Sequence, residues 1–382
     1  MNQKKIVFVA NTAWSVFNFR HSLIKELLRC GVELYVIAPE DKFSAKLTEM
    51  GCQVLDLPMQ AKGVNPIADL ALMLRLLRHY REIKPDFIIH YTIKPNIYGS
   101  LAAKLAGIPS LAITTGLGYT FVNQNVVSLV AQQLYKFAFR YPKEVWFLNE
   151  DDRSVFLEHH LIEPDKAVLL HGEGVNLNHF VPSDKPQSDE NIRFLLIARM
   201  LRDKGVCEFV EAARQIRQHY PNAIFQLLGD CSVLNPSVIG REEIAQWEKE
   251  GVVEYLGTTD DVRPIIAQAD CLVLPSYYRE GIPRTLMEGA AMAKPIITTD
   301  NVGCRDVVLD GQTGYLCEVK NAKSLALCCE QFLTLSDSDK QAMGKAGRSF
   351  IEAKFDEKWV IKQYFAMLKK YEVLSVKNEL SA

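Results

Sequence analysis

Two carboxylates eight residues apart and two cations five residues apart are the residues of this sequence that could do chemistry. Glu280 and Glu288 lie in residues 276–288, after the apolar run CLVLP, and Arg199 and Lys204 follow the apolar run FLLIA. A fixed guanidinium and ammonium can neutralise a diphosphate leaving group, and a carboxylate can accept hydrogen bonds from sugar hydroxyls. The two segments together predict a site for a diphosphate-linked sugar.

The segment with the two glutamates also contains a helix start that suits an anion. Pro283 fits the first turn of a helix, and Gly281 lets the backbone come close to a ligand. The N–H groups of Arg284, Thr285 and Leu286 would then be free and would favour a phosphate. Acidic residues near a helix start also stabilise the helix, and the ligand role is favoured because the segment directly follows a strand.

The elements that must position these residues alternate along the chain. Short apolar runs such as IVFVA, VELYVIAP, DFIIHY, FLLIA and CLVLP predict strands, and residues 17–30 and 206–219 have helical spacing. This alternation predicts parallel sheets that helices cover on both faces. Ligands of such sheets bind beyond the carboxyl ends of the strands, where both chemical segments lie.

The same pattern recurs about 190 residues along the chain and predicts two Rossmann-like domains. The length of 382 residues agrees, since one core rarely exceeds about 250–300 residues. The polar segment 181–191 is the predicted linker, giving an N-terminal domain over 1–185 and a C-terminal domain over 186–355. A last helix near 357–372 could pack on either domain, so residues 356–382 can cross back to the first. We expect the site in the cleft between the domains.

Charge and cysteine content narrow the classes of function. The net charge of −2 argues against a nucleic-acid binder, and we expect no nucleic-acid partner. The first 140 residues contain 16 Lys and Arg against nine Asp and Glu, which suggests an anionic partner such as phosphate or lipid headgroups, with a chance imbalance as the alternative. The nine cysteines have no metal-ligand spacing and fit a reduced, cytoplasmic compartment.

Basic and amphipathic stretches in the first third suggest contact with a membrane surface. Arg75, Arg78, Arg81 and Lys84 are closely spaced, and VVSLVAQQLYKFAFR is amphipathic. A basic amphipathic face binds anionic headgroups, although an ordinary surface helix beside an acceptor pocket is an equal alternative. No signal peptide or membrane-spanning run is evident. We expect a cytoplasmic protein that is peripheral on the inner face of the cytoplasmic membrane.

Three motifs carry a resemblance to a known family: Arg199-x4-Lys204, Glu280-x7-Glu288 and the segment Gly174-Val175-Asn176. They resemble the retaining family 4 glycosyltransferases, which have the α/β GT-B fold of two Rossmann-like domains facing across a cleft. The segments NTAWSVFNFRHSLIKELL, HYTIKPNIYGSLAAKLAGIP and TTGLGYTF are similar to a bacterial subgroup, the PglA-type transferases. Those enzymes extend sugars on undecaprenyl-diphosphate carriers. The resemblance implies a nucleotide-sugar donor, with UDP-GalNAc or UDP-Gal favoured, and a lipid-linked saccharide acceptor.

The resemblance also implies a role for each matching residue. Arg199 and Lys204 would hold the donor diphosphate, Glu288 the ribose hydroxyls, and Glu280 the transferred sugar near its reacting end. The backbone of 281–286, which includes Ile282, would contact sugar and phosphate. The base would contact loops that contain Gly229, Asp230 and Val262. The acceptor hydroxyl would attack on the leaving-group face and give its proton to the donor phosphate. The resemblance implies no metal and no resident cofactor, the UDP-sugar being a substrate.

The chain departs from the family in its first half. Many members have a glycine-rich loop after the first strand, where this chain reads NTAWSVFN, and many have a histidine after the strand SLAITT, where this chain has Thr115 and Gly116. No histidine can therefore be assigned that role. The remaining polar candidates for the acceptor side are Asn18, Arg20, His90, Lys94, Thr115 and Gly116. For His90 a packing role is an equal alternative.

Other classes of function are weighed against this one. A metal-dependent transferase of another fold would need an Asp-x-Asp motif at a strand end, but Asp337 with Asp339, and Asp151 with Asp152, are interpreted as helix starts. A non-hydrolysing UDP-sugar epimerase would share the two-domain shape. A non-catalytic nucleotide-sugar binding protein is also open, although the cations near a diphosphate favour bond cleavage.

Overall fold

The chain forms two compact units, each built on one parallel sheet. The computed structural model describes residues 3–59, 65–117, 126–183, 190–233 and 235–375. Unit 1 comprises Met1–Glu173 with Glu357–Ala382, and unit 2 comprises Gly174–Asp356. The predicted α/β class with two Rossmann-like domains is confirmed.

Seven strands make the sheet of unit 1, in the order β3-β2-β1-β4-β5-β6-β7. They are β1 (Lys5–Val9), β2 (Glu33–Ala38), β3 (Gln53–Asp56), β4 (Phe87–Tyr91), β5 (Ser110–Thr114), β6 (Glu144–Phe147) and β7 (Ala167–Leu169). Every pair is parallel, and β1 lies between β2 and β4, with Val9 opposite Ile37 on one side and His90 on the other. The buried, β-branched runs suit a sheet covered on both faces.

Helices cover both faces of this sheet. They are α1 (Ala13–Arg29), α2 (Lys42–Glu49), α3 (Pro66–Ile83), α4 (Ser100–Ala106), α5 (Val126–Ala138), α6 (Glu150–Glu158) and the last helix of the chain, α13 (Glu357–Lys370), with a π-helical turn at Pro95–Gly99. One face packs against α1, α2 and α13, and the other against α3 to α6. None of the helices in the described part of the chain has the length and hydropathy of a membrane-spanning segment.

Unit 2 repeats the architecture with six parallel strands in the order β10-β9-β8-β11-β12-β13. The strands are β8 (Ile192–Ile197), β9 (Ala223–Leu228), β10 (Glu254–Tyr255), β11 (Cys271–Leu274), β12 (Ile296–Thr299) and β13 (Gly314–Cys317). The helices are α7 (Val206–Arg217), α8 (Arg241–Lys249), α9 (Arg263–Gln268), α10 (Arg284–Ala291), α11 (Ala322–Thr334) and α12 (Asp337–Lys354). Separate apolar clusters fill the two faces of the sheet.

The boundaries of the units differ from the predicted linker. Unit 2 begins at Gly174, before the predicted boundary at 185, because Val175 and Phe180 are buried in the core of unit 2. The N–H of Val175 also donates to the carbonyl of Phe355 at 2.9 Å. Of the predicted linker 181–191, residues 184–189 lie outside the described part of the chain. The last helix belongs to unit 1.

Local signals explain where the predicted elements hold and where they do not. The helix predicted from residue 17 begins at Ala13, because the Thr12 hydroxyl caps it by accepting the N–H of Ser15 at 3.2 Å. The short edge strand β3 was not predicted. The Asp337 motif is a helix start as expected, capped by Ser336.

Candidate active site

The candidate site lies in unit 2, where the order of the strands reverses. The chain runs outward from β8 to β9 and β10 on one side, and returns to β11 on the other side of β8. The crevice beyond the carboxyl ends of two such strands is the usual ligand site of a parallel sheet. The loop after β8 contains Arg199 and Lys204, and the loop after β11 contains Glu280. The topology therefore brings together residues that are distant in sequence.

The two loops contact each other through their backbones. Gly205 has a φ of +76°, and a Cβ there would lie 2.0 Å from the carbonyl oxygen of Pro275, so this close approach requires glycine. The N–H groups of Tyr277 and Tyr278 donate to the carbonyl of Asp203 at 3.0 and 3.1 Å. These bonds fix the spacing of the two loops on which the charged side chains lie.

Lys204 and Glu280 form an ion pair across the two loops. Their side chains are only 15% and 12% exposed, so solvent screens the pair weakly. The hydroxyl of Ser276 lies 2.9 Å from Glu280 Oε1, and Lys204 Nζ lies 5.3 Å from the ring centroid of Tyr278. An ammonium held in this way can exchange its carboxylate partner for the phosphate oxygens of a ligand.

Arg199 differs from Lys204 in its surroundings. Its side chain is exposed, and within the described part of the chain the guanidinium makes no ion pair or hydrogen bond. The pKa of Asp230 is below its ordinary value, first because the hydroxyl and N–H of Ser232 donate to the carboxylate, and also because Arg199 lies near it. Gly229 packs so closely that a Cβ would lie 1.8 Å from the carbonyl of Ala198. The loop after β9 therefore lies against the loop with Arg199.

The remaining residues predicted to contact the base lie in the same part of unit 2. The N–H of Gly229 donates to the carbonyl of Gly257 at 2.8 Å, which joins the loops after β9 and β10. Val262 is half-buried and packs in the apolar cluster to which Ala198 and Ile282 also belong. The structure thus brings the predicted base-contacting residues next to the loop after β8.

The start of α10 differs in detail from the prediction. The helix begins at Arg284, so Pro283 is its cap and not part of its first turn. The N–H of Leu286 donates to the carbonyl of Pro283 at 3.2 Å, so the prediction of a free N–H at Leu286 is wrong. A tight first turn uses this donor. Gly281 is buried and Thr285 is half-buried.

Glu288 lies inside α10 and is buried. Its Oε1 accepts a hydrogen bond from Nε of Arg284, one helical turn earlier, at 2.8 Å. Burial raises the pKa of Glu288, because the charged form loses solvation, and Arg284 offsets part of this rise. A carboxyl in this setting is poised to accept hydroxyl hydrogen bonds when it is ionised.

Three residues that the sequence analysis did not single out support the Glu280 segment. Besides Ser276, Asn301 donates from Nδ2 to the carbonyl of Tyr278 at 3.0 Å. Gly303 has a φ of +78°, and a Cβ there would lie 2.4 Å from the carbonyl of Gly281. Asn301 and Gly303 follow β12, so the rule applied to the other strand ends would have found them.

Three of the unit 1 candidates are occupied by contacts within the unit. The side-chain amide of Asn18 donates to the carbonyl of Trp14 at 2.9 Å within α1. Arg20 is buried and pairs with Glu173. His90 is fully buried, its Nε2 lies 3.0 Å from the Tyr80 hydroxyl, and burial lowers its pKa to about 3. The structure places His90 in the core as a neutral residue.

The other unit 1 candidates lie at the ends of neighbouring strands. Lys94 follows β4 and pairs with the buried Asp69 at 2.7 Å, and Asp69 also accepts the hydroxyl hydrogen of Tyr98 at 2.9 Å. Thr115 and Gly116 follow β5, which is paired with β4, and both are half-buried. Lys94, Thr115 and Gly116 therefore lie beyond the carboxyl ends of two adjacent strands of unit 1.

The described residues contain no group of three His, Cys, Asp or Glu side chains that could hold a metal ion.

Two family models match the chain. The model described as glycosyl transferases group 1 matches residues 191–334 of unit 2, and the model described as glycosyl transferase 4-like matches residues 5–149 of unit 1.

Curated relatives match the chain along most of its length. It is 31% identical over 380 residues to the N,N'-diacetylbacillosaminyl-diphospho-undecaprenol alpha-1,3-N-acetylgalactosaminyltransferase of Campylobacter jejuni, covering 95% of this chain and 98% of that protein. It is 24% identical over 325 residues to the UDP-Gal:alpha-D-GlcNAc-diphosphoundecaprenol alpha-1,3-galactosyltransferase of Escherichia coli, covering 79% and 83%.

Solved structures show the same fold. A glycosyltransferase from Rickettsia africae aligns with a TM-score of 0.80 at 20% identity and covers 98% of this chain and 100% of that one. An Anabaena protein crystallised in complex with UDP and glucose aligns with a TM-score of 0.77 at 17% identity, with 96% and 100% covered.

Proposed function

Because this chain belongs to the group 1, family 4-like glycosyltransferases, we propose that it is a retaining transferase acting on a lipid-linked saccharide. The donor would be a UDP-sugar, and the acceptor a saccharide on an undecaprenyl-diphosphate carrier in bacterial glycan or glycoprotein assembly. The observation that carries the proposal is the ion pair of Lys204 with Glu280 at the strand reversal of unit 2, with exposed Arg199 in the same loop as Lys204.

The chemistry assigned to these residues is neutralisation of charge on the leaving group. As the bond between the sugar C1 and the β-phosphate oxygen breaks, negative charge grows on the diphosphate, and Lys204 and Arg199 would stabilise it. The acceptor hydroxyl forms the new C1–O bond on the same face and gives its proton to the departing phosphate, which retains the anomeric configuration. Glu280 would stay beside the sugar, and Glu288 would accept ribose hydroxyls.

The names of the two relatives support a proposal for the donor sugar. Their names give N-acetylgalactosamine in one case and galactose in the other, both transferred to sugars on a diphospho-undecaprenol carrier. These two sugars share the axial hydroxyl at C4 and differ at C2. We therefore propose UDP-GalNAc or UDP-Gal as the donor, with no metal ion required.

An anionic membrane surface is the proposed second partner, and it would contact unit 1. Helix α3 exposes Ile67, Leu70 and Leu74, with exposed fractions of 82%, 53% and 52%. These positions recur at helical spacing and so share one face, and the exposed Arg75 and Arg78 continue along the helix. An apolar stripe continued by cations fits an interface of acyl chains and anionic headgroups.

A neighbouring helix presents the same combination. Helix α5 exposes Leu129, Val130 and Phe137, and the guanidinium of Arg140 lies 5.9 Å from the ring centroid of Phe137. Both α3 and α5 pack against the π-helical turn at Pro95–Gly99, so they lie on the same side of unit 1. Each basic residue near an anionic membrane surface contributes about 1 kcal/mol. We propose that this face holds the protein on the inner leaflet, near its lipid-linked acceptor.

The reaction is tested by nucleotide release from UDP-GalNAc, UDP-Gal, UDP-Glc, UDP-GlcNAc and GDP-Man in excess EDTA. Each donor is offered with and without a polyprenyl-diphosphate-linked saccharide. We expect UDP release from UDP-GalNAc or UDP-Gal that rises with the lipid-linked acceptor. NMR of the product should show that the anomeric configuration of the donor is retained. Loss of activity in EDTA would contradict the metal-free reaction. Sugar interconversion without release would indicate an epimerase instead.

The membrane surface is tested by flotation with vesicles of equal parts phosphatidylglycerol and phosphatidylethanolamine. We expect binding at low salt that weakens at high salt and is lost when Ile67, Leu70 and Leu74 are all changed to Ser. The matched control is Leu327→Ser on α11 of unit 2, whose side chain is 53% exposed. Binding that survives the triple change, or that the control also abolishes, would contradict the assignment to α3.

A further inference from the structure

A buried hydroxyl lies where the two loops of the candidate site meet. Ser276 is fully buried just after β11. Its Oγ is 2.9 Å from Glu280 Oε1 and 3.2 Å from the carbonyl oxygen of Asp203, and it accepts the N–H of Tyr278 at 3.3 Å. The Ser276 side chain therefore links the loop after β8 to the candidate carboxylate in the loop after β11.

The single hydroxyl hydrogen of Ser276 has two possible acceptors. The Asp203 carbonyl already receives the N–H groups of Tyr277 and Tyr278 at 3.0 and 3.1 Å. Glu280 Oε1 is closer, and its charge makes it the stronger acceptor. The hydrogen is therefore directed at Glu280.

The backbone of Ser276 is itself held in place from β12. The Thr299 hydroxyl donates to the Ser276 carbonyl at 2.5 Å, and the Asn301 side chain donates to it at 3.4 Å. A donor whose own position is set by a neighbouring strand can fix the geometry of the group it contacts. Its orientation does not depend on the flexible side chain of Lys204.

We propose that Ser276 is a positioning residue that holds the Glu280 carboxylate in place during transfer. The inference rests on the proposed function, in which Lys204 leaves Glu280 for the donor diphosphate. A neutral hydroxyl has no charge to draw it to the diphosphate, so Ser276 keeps its bond to Glu280 after that exchange. The carboxylate then stays beside the sugar rather than following the ammonium.

The first test compares Ser276→Ala with Thr298→Val. Thr298 is a matched control, because its hydroxyl is also fully buried and donates to a backbone carbonyl, that of Leu274, at 2.7 Å. We expect Ser276→Ala to lower kcat roughly 10- to 100-fold, as for a misplaced reacting group, while the Kd of UDP stays within about twofold. Thr298→Val should leave kcat unchanged. An unchanged kcat in Ser276→Ala would overturn the inference.

A double-mutant cycle with Glu280→Ala separates positioning from a general structural role. If Ser276 acts through Glu280, then adding Ser276→Ala to Glu280→Ala causes no further loss of kcat. If the fold-losses of kcat in the two single variants multiply in the double variant, the two residues act independently and the inference is overturned. If Ser276→Ala does not fold, Ser276→Cys, with its weaker donor, is expected to give an intermediate kcat and allows the same cycle. A Glu280→Ala variant with normal turnover would instead contradict the role of Glu280 in the proposed function.

Discussion

Each unit contains a cation paired with a carboxylate largely out of solvent, and the two pairs differ in what surrounds them. The side chains of Arg20 and Glu173 in unit 1 are 5% and 13% exposed, close to the 15% and 12% of Lys204 and Glu280 in unit 2. Arg20 lies under α13, with its guanidinium 4.2 Å from the ring centroid of Tyr91. Burial alone would lower the pKa of Arg20, but Glu173 and Tyr91 raise it above its ordinary value.

The second pair lies at strand ends and between loops. Lys204 and Glu280 come from the two loops at the reversal of strand order, whereas Arg20 lies in the middle of α1. A pair enclosed by its own unit stabilises one arrangement of the core, while a pair at a ligand crevice can change partners. Burial and ion pairing by themselves therefore do not identify a functional residue; the position relative to the strand ends does.

The largest expected effect tests the structural pair. Arg20→Met leaves the Glu173 carboxylate buried without its partner, which should destabilise unit 1 by about 3–5 kcal/mol. Hydrogen exchange should show this as faster exchange of amides in β1 and β4, with those of β8 unchanged. Arg78→Met, which removes an exposed cation, is the control and should leave hydrogen exchange unchanged in both units. Equal loss of protection in both units would contradict the comparison.

The next effect belongs to the pair at the crevice. Lys204→Met or Arg199→Ala should remove about 2–4 kcal/mol of transition-state stabilisation, because each takes away a cation assigned to the leaving diphosphate. The quantity to measure is kcat/KM for UDP release, together with hydrogen exchange in unit 2. Arg202→Ala is the control, since its guanidinium pairs with Glu243. Normal rates of UDP release in both variants would contradict the assignment of Lys204 and Arg199 to the donor diphosphate.

A pH effect of about 2 kcal/mol is expected from the core of unit 1. His90 has a folded pKa of about 3 against an ordinary value of 6.5, so the unfolded chain binds its proton first. Stability from this group is complete above pH 6.5 and falls towards pH 3, by roughly 2 kcal/mol at pH 5. Urea unfolding at pH 6.5 and at pH 5 should show this loss of unfolding free energy, and the loss should be smaller in His90→Gln. Ring NMR shifts of a protonated His90 at pH 5 would contradict it.

The smallest expected effect concerns Glu288. Burial raises the pKa of Glu288, and Glu288 must be ionised to accept hydrogen bonds from ribose hydroxyls. On acidification, the donor KM should therefore begin to rise at a pH above the pKa of an ordinary glutamate. Glu288→Gln should raise KM roughly tenfold, the equivalent of about 1.4 kcal/mol, and abolish this pH dependence. Arg284→Met removes the charge that lowers the pKa and should move the acidic limb to higher pH. If the rise of KM at acidic pH is unchanged in both variants, it belongs to another titrating group.

Much of the fold and of the unit 2 site could be predicted from the sequence, because the relevant signals are local. The apolar run before Arg199 and the run before Glu280 are strands that end one residue before the predicted runs do, at Ile197 and Leu274. Unit 1 was harder, since a polar residue after a strand or on a helix can face either inward or outward. Arg20 and His90 were candidates for the acceptor side, and tertiary packing encloses both.

The sequence by itself determined the alternation of strands and helices, the class of chemistry and the loops in which it lies. Periodicity, helix caps and strand ends act over a few residues and can be read from the chain. The tertiary structure alone decided which distant loops meet. The pairing of Lys204 with Glu280 and the contact of both loops with Ser276 depend on the lateral order of β8, β11 and β12, which no local signal specifies. Strand order is a property of the whole sheet: β11 pairs with β8 and not with β10, the strand that precedes it in the chain.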